Sequence, residues 1–193
     1  MKKIFACILL VFLTSKSVIA KNINEAYFAG GCFWCMEEFF EKIVGVEKVI
    51  SGYSGGKTKN PTYNEVTYEN TGHFEVIKIV YDEDVINYKN LLDLYWENID
   101  PFDSAGQFCD KGLSYRSVAF YKTQDEKDEI ENSIKSIEKK FKGKKVVTFI
   151  INFKEFYPAE DYHQDYYQEN FMNYLLYKKA CGREQTLKNI WGN

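Results

Sequence analysis

The chain has 193 residues and a mildly acidic balance, with 25 Lys and Arg against 28 Asp and Glu and a formal net charge of −3. Nucleic acids and anionic lipids attract positively charged surfaces, so this balance argues against both as partners. Tyr and Phe are abundant at fifteen each. Aromatic rings in that number fill a core or line a pocket for an apolar substrate.

The first twenty residues have the pattern of a bacterial secretory signal peptide. Lys2 and Lys3 precede an unbroken apolar run over residues 4–13, and Val18-Ile19-Ala20 offers positions for cleavage. The run is shorter than the roughly 20 apolar residues of a membrane span, although an uncleaved anchor is the alternative. We therefore expect an exported protein, periplasmic or secreted, with no stable membrane association after cleavage and one domain over residues 21–193.

The segment around Cys32 carries the strongest functional signal. Two glycines precede it, and Phe33, Trp34 and a second cysteine, Cys35, follow it. A short predicted strand leads in, and apolar side chains then recur with helical periodicity, which places Cys32 at the first turn of a helix. Unpaired N–H groups and the helix dipole favour an anion there, so we expect a nucleophilic thiol of lowered pKa. A buried structural cysteine is the alternative.

Predicted strands and helices alternate along the rest of the chain. The strands are expected at 25–29, 46–53, 73–80, 118–121 and 146–151, and the helices at 36–44, 88–99, 123–141 and around 163–179. Polar loops are expected at 57–72 and 101–116. Because one pair of strands lacks a helix between its members, the order predicts an α/β (α+β) fold. It is a ferredoxin-like β-α-β-β-α-β two-layer sandwich with added helices and a long C-terminal segment.

Other candidate catalytic groups come from the loops. Glu75 starts a predicted strand beside an aromatic residue, where burial would keep its carboxyl neutral and make it an acid. An exposed strand glutamate is the ordinary alternative. The segment 106–116 brings Asp110 and Tyr115 into one loop before a strand, as catalytic loops often do, and Tyr63 follows a turn.

The cysteines indicate redox chemistry more than scaffolding. A chain of this size does not need disulfide staples to fold. A zinc site built from Cys32 and Cys35 with one or both of His73 and His163 would lack a second paired ligand motif, and no Gly-rich phosphate loop is present. The residues therefore favour neither a zinc site nor a nucleotide site. Four cysteines remain in the expected mature chain: Cys32, Cys35, Cys109 and Cys181.

Eight short motifs follow one another along the chain. They are Gly31-Cys-Phe-Trp34, Gly52-Tyr53 with Gly55-Gly56, Asn60-Pro-Thr-Tyr63, Thr71-Gly-His-x-Glu75, Trp96-Glu-Asn98 with Asp100-Pro101, Asp110-x-Gly112, Ser114-Tyr-Arg-Ser117 and Ala159-Glu-Asp-Tyr-His-Gln164. In this order and with these separations, the chain closely resembles the A-type peptide-methionine sulfoxide reductases. The resemblance runs from about Tyr27 to the C-terminus.

The resemblance implies a reductase that acts on the S epimer of methionine sulfoxide, free or in oxidised proteins, since each epimer has its own enzyme. It also implies that the reaction needs no metal and no organic cofactor. It implies that Cys32 is the nucleophile and that Phe33 and Trp34 form the apolar pocket for the methyl group. Attack on the substrate would leave Cys32 as a sulfenic acid. Condensation of that acid with a second thiol would give an intramolecular disulfide.

The remaining site residues also follow from the resemblance. Glu75 matches the residue that protonates the sulfoxide oxygen. Tyr63 and Tyr115 match hydroxyls that hydrogen-bond that oxygen, and Asp110 matches a further acidic residue. These roles agree with elementary chemistry, because a sulfoxide oxygen leaves poorly unless it is protonated.

The chain departs from the common family pattern at the second thiol. Cys35 and Cys109 stand where many members have Gly and Asn, and the tail carries Cys181 without a glycine-rich segment. All three are candidates for the resolving cysteine. Cys181 is slightly favoured because a mobile terminal segment can swing in, with Cys35 close behind at one helical turn from Cys32 and Cys109 as a packed neighbour. We expect a monomer that a thioredoxin-like reductant recycles.

Two other functions fit parts of the sequence. A general thiol-disulfide oxidoreductase would use Cys32 and Cys35, but it would leave the carboxyl and the two phenols without a role. A non-catalytic module that binds oxidised or apolar peptides would keep its function without Cys32.

Overall fold

The structure is a computed structural model and describes residues 20–192. The expected signal peptide, apart from its last residue, lies outside the described residues. No helix among the residues from 20 to 192 is long and apolar enough to cross a membrane.

The described chain alternates strands and helices much as the sequence predicts. The strands are β1 Ile23–Ala29, β2 Val46–Ser54, β3 Phe74–Asp82, β4 Gly106–Gln107, β5 Asp110–Lys111, β6 Val118–Tyr121, β7 Phe149–Asn152 and β8 Phe156–Pro158. The helices are α1 Phe33–Phe40, α2 Tyr63–Tyr68, α3 Tyr88–Glu97, α4 Gln124–Lys140, α5 Tyr166–Glu169, α6 Phe171–Cys181 and α7 Arg183–Trp191. Two 3₁₀ turns, Leu113–Tyr115 and Asp161–His163, complete the framework.

Six strands form one sheet in the order β7-β6-β1-β3-β2-β8, and β4 and β5 form a separate hairpin. The inner four strands of the six-stranded sheet, β6-β1-β3-β2, run antiparallel to one another. Helix α1 connects β1 to β2, and α3 lies in the connection from β3 to β6. This is the predicted β-α-β-β-α-β sandwich, which is thereby confirmed. Strand β7 extends one edge in parallel with β6, and β8 extends the other edge antiparallel to β2.

Alternation along β1 divides the core between the two faces of the sheet. Phe28 is fully buried on the helical face, where its ring stacks on Tyr95 of α3 at 4.6 Å between centroids. Tyr27 faces the other way and stacks at 3.8 Å on Phe153, from the connection between β7 and β8. Both faces of the strand are therefore covered, and the end of β1 is held rigidly where the chain enters α1.

The structure differs from the sequence prediction in several segments. The loop at 57–72 contains α2, which begins at a capping box formed by Thr62 and Glu65. The strand predicted at 146–151 begins only at Phe149. The expected mobile tail is helical, and its last helix is anchored where the Trp191 indole donates to the Ile99 carbonyl at 3.0 Å. Cys181 therefore lies at the end of a packed helix rather than on a swinging segment.

Candidate active site

The two glycines before Cys32 are required by close packing. Gly31 has φ +80°, and a Cβ there would lie 2.6 Å from the Gln107 Cβ. A Cβ at Gly30 would lie 2.7 Å from the Met36 sulfur. The chain can therefore turn tightly from β1 into α1, which leaves Cys32 at the N-cap of α1, as predicted.

The Cys32 thiol is buried, and its pKa is raised well above the ordinary value. Burial is the largest cause, followed by the hydrogen bond with Cys35, the negative charge on Cys35 and the Glu75 carboxyl. The expectation of a lowered pKa is therefore wrong for the substrate-free protein. The dipole of an eight-residue helix does not offset the loss of water around a buried thiolate.

Cys35 is the more acidic member of the thiol pair. It lies one helical turn after Cys32, and its backbone N–H donates to the Cys32 carbonyl at 3.2 Å. The hydrogen bond from the Cys32 thiol, followed by the positive charge of Arg183, lowers the pKa of Cys35 to about 7 despite burial. When this pair ionises, the negative charge therefore forms on Cys35 rather than on Cys32.

Glu75 lies on β3 and is only 2% exposed. Its Oε2 accepts a hydrogen bond from the Phe33 backbone N–H at 3.0 Å, which holds the carboxyl against the start of α1. Burial, reinforced by the negative charge of Asp110, raises the pKa of Glu75 to about 8. The carboxyl is therefore mainly protonated at neutral pH and can act as an acid.

Two phenols face Glu75 from separate segments. Tyr63 begins α2, where its backbone N–H donates to Glu160 at 2.9 Å, and Tyr115 ends the first 3₁₀ turn. Their hydroxyl oxygens are 3.5 Å apart. Burial, together with the charge of Glu75, raises the pKa of both phenols, so both remain protonated and able to donate.

An aromatic wall stands beside the thiol. Phe33 is fully buried, and the Trp34 indole stacks on Tyr166 with ring centroids 3.8 Å apart. The Trp34 N–H donates to Nδ1 of buried His163 at 3.2 Å, which fixes the orientation of the indole. This role of His163 has no local sequence signal of its own, although one of the eight motifs contains the residue. The other histidine, His73, is held by the backbone of its own loop through Gly56 and Thr58.

Asp110 and Tyr177 close the remaining side. The Tyr177 hydroxyl donates to Asp110 at 2.5 Å and also hydrogen-bonds the Cys32 thiol. Burial raises the pKa of Asp110, whereas the hydrogen bond from Tyr177 opposes that effect. Tyr177 comes from α6, and only the packing of that helix reveals its place.

One small cavity, of about 50 Å³, collects these side chains. It brings together all seven residues predicted for catalysis and substrate binding, and adds one more. The lining residues are Cys32, Phe33, Trp34, Tyr63, Glu75, Asp110, Tyr115 and Tyr177.

The other two cysteines form a disulfide between Cys109 and Cys181, 72 residues apart in sequence. This corrects the expectation that Cys109 is only a packed neighbour. Within the described part of the chain, Cys32 and Cys35 are the free cysteines. Cys35 is therefore the thiol available beside Cys32 in this state, whereas Cys181 is already bonded.

Glu37 on α1 is a second buried carboxyl whose pKa burial raises to about 8, but it lies outside the cavity lining. In the unfolded chain the pKa returns to its ordinary 4.5, so ionisation of Glu37 opposes folding increasingly from about pH 4.5 to about 8. Glu37→Gln should therefore raise the melting temperature at pH 8–9 by a few degrees, since about 1 kcal/mol corresponds to about 2–4 °C. The gain should vanish near pH 4, and calorimetry at several pH values checks it. An equal gain at every pH would contradict this origin.

A buried thiol pair beside a protonated carboxyl, on a ferredoxin-like sandwich, defines a thiol-based redox protein. A family model described as peptide methionine sulfoxide reductase matches residues 24–193. A peptide methionine sulfoxide reductase MsrA 2 from Caulobacter vibrioides is 44% identical over 190 residues, which cover 98% of this chain and 96% of that protein. One from Listeria monocytogenes is 46% identical over 172 residues, covering 89% and 97%.

Solved structures agree with this match. The reduced form of Mxr1 from Saccharomyces cerevisiae superimposes with a TM-score of 0.72 at 30% identity, over 77% of this chain and 86% of that chain. Methionine sulfoxide reductase A of Corynebacterium diphtheriae superimposes with a TM-score of 0.70 at 29% identity, over 77% of this chain and 76% of that chain. The chain belongs to the peptide methionine sulfoxide reductase family, and the resemblance found in its sequence is confirmed.

Proposed function

We propose that this protein is a peptide-methionine (S)-S-oxide reductase, which converts the S epimer of methionine sulfoxide, peptide-bound or free, to methionine. The observation that carries the proposal is the buried, protonated Glu75 carboxyl in one small cavity with the Cys32 thiol. A thiol that attacks the sulfoxide sulfur needs an acid at the sulfoxide oxygen, and this cavity supplies both.

The cavity can hold the sulfoxide group in one orientation. The methyl group packs against Phe33 and the stacked indole of Trp34. The oxygen then points toward Glu75, Tyr63 and Tyr115, whose protonated groups can all donate to it. Because a sulfoxide sulfur is chiral, an apolar wall on one side and donors on another favour a single epimer.

The first chemical step transfers oxygen from the substrate to Cys32. The Cys32 proton passes to Cys35 along their hydrogen bond, and the resulting Cys32 thiolate attacks the substrate sulfur. Glu75 protonates the oxygen while the phenols stabilise its charge. A bond forms between the Cys32 sulfur and the substrate sulfur as the bond from that sulfur to its oxygen breaks, and the protonated oxygen leaves as hydroxide. The hydroxide adds to the Cys32 sulfur, and the sulfur–sulfur bond breaks with its electron pair on the substrate sulfur, which is thereby reduced by two electrons. The products are methionine and a Cys32 sulfenic acid.

The second step makes the Cys32–Cys35 disulfide. The Cys35 sulfur attacks the Cys32 sulfenic acid, a sulfur–sulfur bond forms, and the hydroxyl leaves as water with the Cys35 proton. A dithiol protein of the thioredoxin type then reduces this disulfide by exchange. Cys35 takes the role for which the sequence favoured Cys181, because Cys35 is free and adjacent whereas Cys181 is bonded to Cys109.

A single-turnover experiment tests the activity. The mature protein, with Cys32 and Cys35 reduced, is incubated with each epimer of a methionine sulfoxide peptide without added reductant, and methionine is counted by mass spectrometry. We expect about one equivalent from the S epimer and none from the R epimer. No methionine from either epimer, with both thiols still reduced and the fold intact, would favour the general oxidoreductase or the peptide-binding module instead.

The resolving step predicts contrasting behaviour of the cysteine variants. Cys35→Ser should release one equivalent of methionine but leave a sulfenic acid that dimedone traps. The matched control, Cys109→Ser with Cys181→Ser, should release the same equivalent and form the Cys32–Cys35 disulfide. Peptide mapping of the non-reduced protein distinguishes the two. A Cys32–Cys181 disulfide in the reduced wild-type protein after turnover would assign the resolving role to Cys181.

We also propose that residues 1–20 direct export and are removed, and that the mature protein is a monomer outside the cytoplasm. The apolar run at 4–13 after Lys2 and Lys3 supports the export. Expression of the full chain in a bacterium should therefore yield a periplasmic protein that begins at Lys21 by intact mass. A cytoplasmic protein of full mass would contradict the proposal.

A further inference from the structure

Arg183, the first residue of α7, is a buried cation. It is only 4% exposed, and each of its hydrogen-bond acceptors is neutral. These acceptors are the Gly30 carbonyl at 3.1 Å, the Asn98 carbonyl at 2.6 Å, the Asn98 Oδ1 at 3.2 Å and the Met36 sulfur at 3.0 Å. Its guanidinium also lies over the Phe108 ring, 4.5 Å from the centroid.

This charge lacks a carboxylate partner within the part of the chain that the structure describes. Among residues 20–192, no salt bridge joins Arg183 to an Asp or Glu. Asp110 feels the guanidinium only at longer range, and its own carboxyl is hydrogen-bonded by Tyr177. Buried charges are normally paired because an unpaired one loses the solvation of water without compensation. An anion belonging to the working protein is therefore expected nearby.

Two of the residues that accept hydrogen bonds from Arg183 flank the thiol pair in the sequence. Gly30 precedes Cys32 by two residues, and Met36 directly follows Cys35. Arg183 and Cys35 also line the same cavity of about 320 Å³, which is separate from the one that holds Cys32. The guanidinium is thus fixed to the backbone turn and the helix that carry both sulfurs.

The Tyr174 hydroxyl, through a hydrogen bond, and the Lys178 ammonium, through its charge, also favour the Cys35 thiolate, but each of them is bonded to a carboxylate as well. Lys178 bonds Glu38 at 2.8 Å and Glu184 at 3.0 Å, and the Tyr174 hydroxyl also donates to Glu38, at 2.5 Å. Arg183 is thus the buried cation near Cys35 that lacks a carboxylate partner. The groups facing Cys35, with Arg183, are Cys32, Glu38, Glu75, Tyr174 and Lys178, and the shared cavity adds Lys42, Glu97, Glu184 and Lys188.

We propose that Arg183 is the fixed counter-charge of the Cys35 thiolate, a positioning residue that makes Cys35 the resolving thiol. The inference rests on the proposed reductase function. Arg183 forms and breaks no covalent bond. It favours the thiolate that attacks the Cys32 sulfenic acid, and in recycling it favours Cys35 as the sulfur expelled when the reductant attacks Cys32, because a stabilised thiolate leaves faster.

The test measures the ionisation of Cys35 directly. In a Cys32→Ser background, Cys35 is the reactive thiol while the Cys109–Cys181 disulfide stays intact, and the serine hydroxyl can still donate to Cys35. The rate of iodoacetamide alkylation is followed from pH 5 to 10 for this parent, for Arg183→Met and for Arg183→Lys. We expect Arg183→Met to raise the midpoint of the alkylation rate's pH dependence by about one pH unit or more. A shift of one unit corresponds to a tenfold loss of thiolate at pH values below the midpoint. Arg183→Lys should stay near the parent.

A second readout separates this role from simple structural support. With Cys32 present, Arg183→Met should still release a full first equivalent of methionine, although more slowly at pH 6 because less Cys35 thiolate is present to take the Cys32 proton. Disulfide formation should also slow about tenfold at that pH, in step with the lost thiolate. Dimedone should then trap more sulfenic acid than in the wild type. Circular dichroism confirms that each variant is folded.

Three results would overturn the proposal. One is a folded Arg183→Met protein whose alkylation midpoint is the same as that of the parent. Another is an alkylation midpoint that shifts as far in Arg183→Lys as in Arg183→Met. The third is independent of any Arg183 variant: a midpoint at or above about 8.5, the ordinary thiol value, in the folded Cys32→Ser parent. If the wild type releases no methionine, the reductase function fails, and the alkylation midpoints still decide whether Arg183 serves the Cys35 thiolate.

Discussion

Cys32→Ser is expected to abolish methionine release from the S epimer, with a loss on the order of 10⁴- to 10⁶-fold, as when other enzymes lose a catalytic nucleophile. A serine hydroxyl at this buried position can neither attack the sulfoxide sulfur effectively nor accept its oxygen as a sulfenic acid. Quenched-flow measurement of the first methionine equivalent checks this result. The matched control is Cys35→Ser, which leaves the nucleophile but removes the sulfur that takes its proton, so a full equivalent of methionine should still be released, at a lower rate than in the wild type.

The two serine variants therefore separate attack from resolution. If Cys32→Ser released methionine at the wild-type rate while Cys35→Ser did not, the two sulfurs would exchange roles. If both variants released a full equivalent, the nucleophile would lie outside this pair. Folding of each variant is verified beforehand by its melting temperature, since Cys32 and Cys35 are both buried.

Glu75→Gln is expected to slow the first methionine release by about 10²- to 10⁴-fold, the usual contribution of a general acid. The glutamine amide has the same shape as the carboxyl, and its oxygen can still accept the hydrogen bond from the Phe33 N–H. However, the amide has no carboxyl proton to deliver. Because the acid works only when protonated and burial raises the pKa of Glu75 to about 8, the wild-type rate should fall above about pH 8. The variant should lack that fall.

Glu37→Gln is the matched control for this experiment. Glu37 is equally buried, and its pKa is also raised to about 8 by burial, but it does not line the cavity. Its replacement should leave both the rate and the pH profile unchanged. If Glu37→Gln abolished the decline above pH 8, or Glu75→Gln kept it, the acid would not be Glu75.

The pH profile also has a lower limb whose direction follows from the thiol pair. Cys35 must be ionised to take the Cys32 proton, and the pKa of Cys35 is lowered to about 7 by the hydrogen bond from Cys32 and by Arg183. The first-turnover rate should therefore rise up to about pH 7 and fall above about pH 8. Arg183→Met should shift the rising part of the profile to higher pH and leave the fall above about pH 8 in place.

Much of the fold follows from local sequence rules. The tight glycine turn before Cys32, the helix that begins at the Thr123 capping box and the alternating β3 strand are each encoded within a few residues. Such signals read correctly because propensity, capping and periodicity act over one or two turns of chain. The ferredoxin-like order could be predicted for the same reason, since it depends only on the succession of these elements.

The C-terminal helices are where sequence rules were weakest. Several apolar residues of α6 are exposed, namely Phe171, Met172, Leu175 and Leu176. Because the helix therefore has no single apolar face, its packing against α1 could not be predicted from periodicity. That packing is what brings Tyr177 to Cys32, Arg183 to Cys35 and Cys181 to Cys109. Each contact joins residues more than 70 positions apart, which no local rule covers.

The sequence by itself determined the positions of the reactive groups: a thiol at a helix start, a carboxyl on a strand and phenols on two loops. Tertiary structure alone decided their protonation, because the pKa of a buried group depends on lost water and on neighbours from distant segments. Burial makes Glu75 an acid and raises the pKa of Cys32, reversing the expectation from the helix dipole. The charge of Arg183, delivered by the last helix, helps to place the resting thiolate on Cys35.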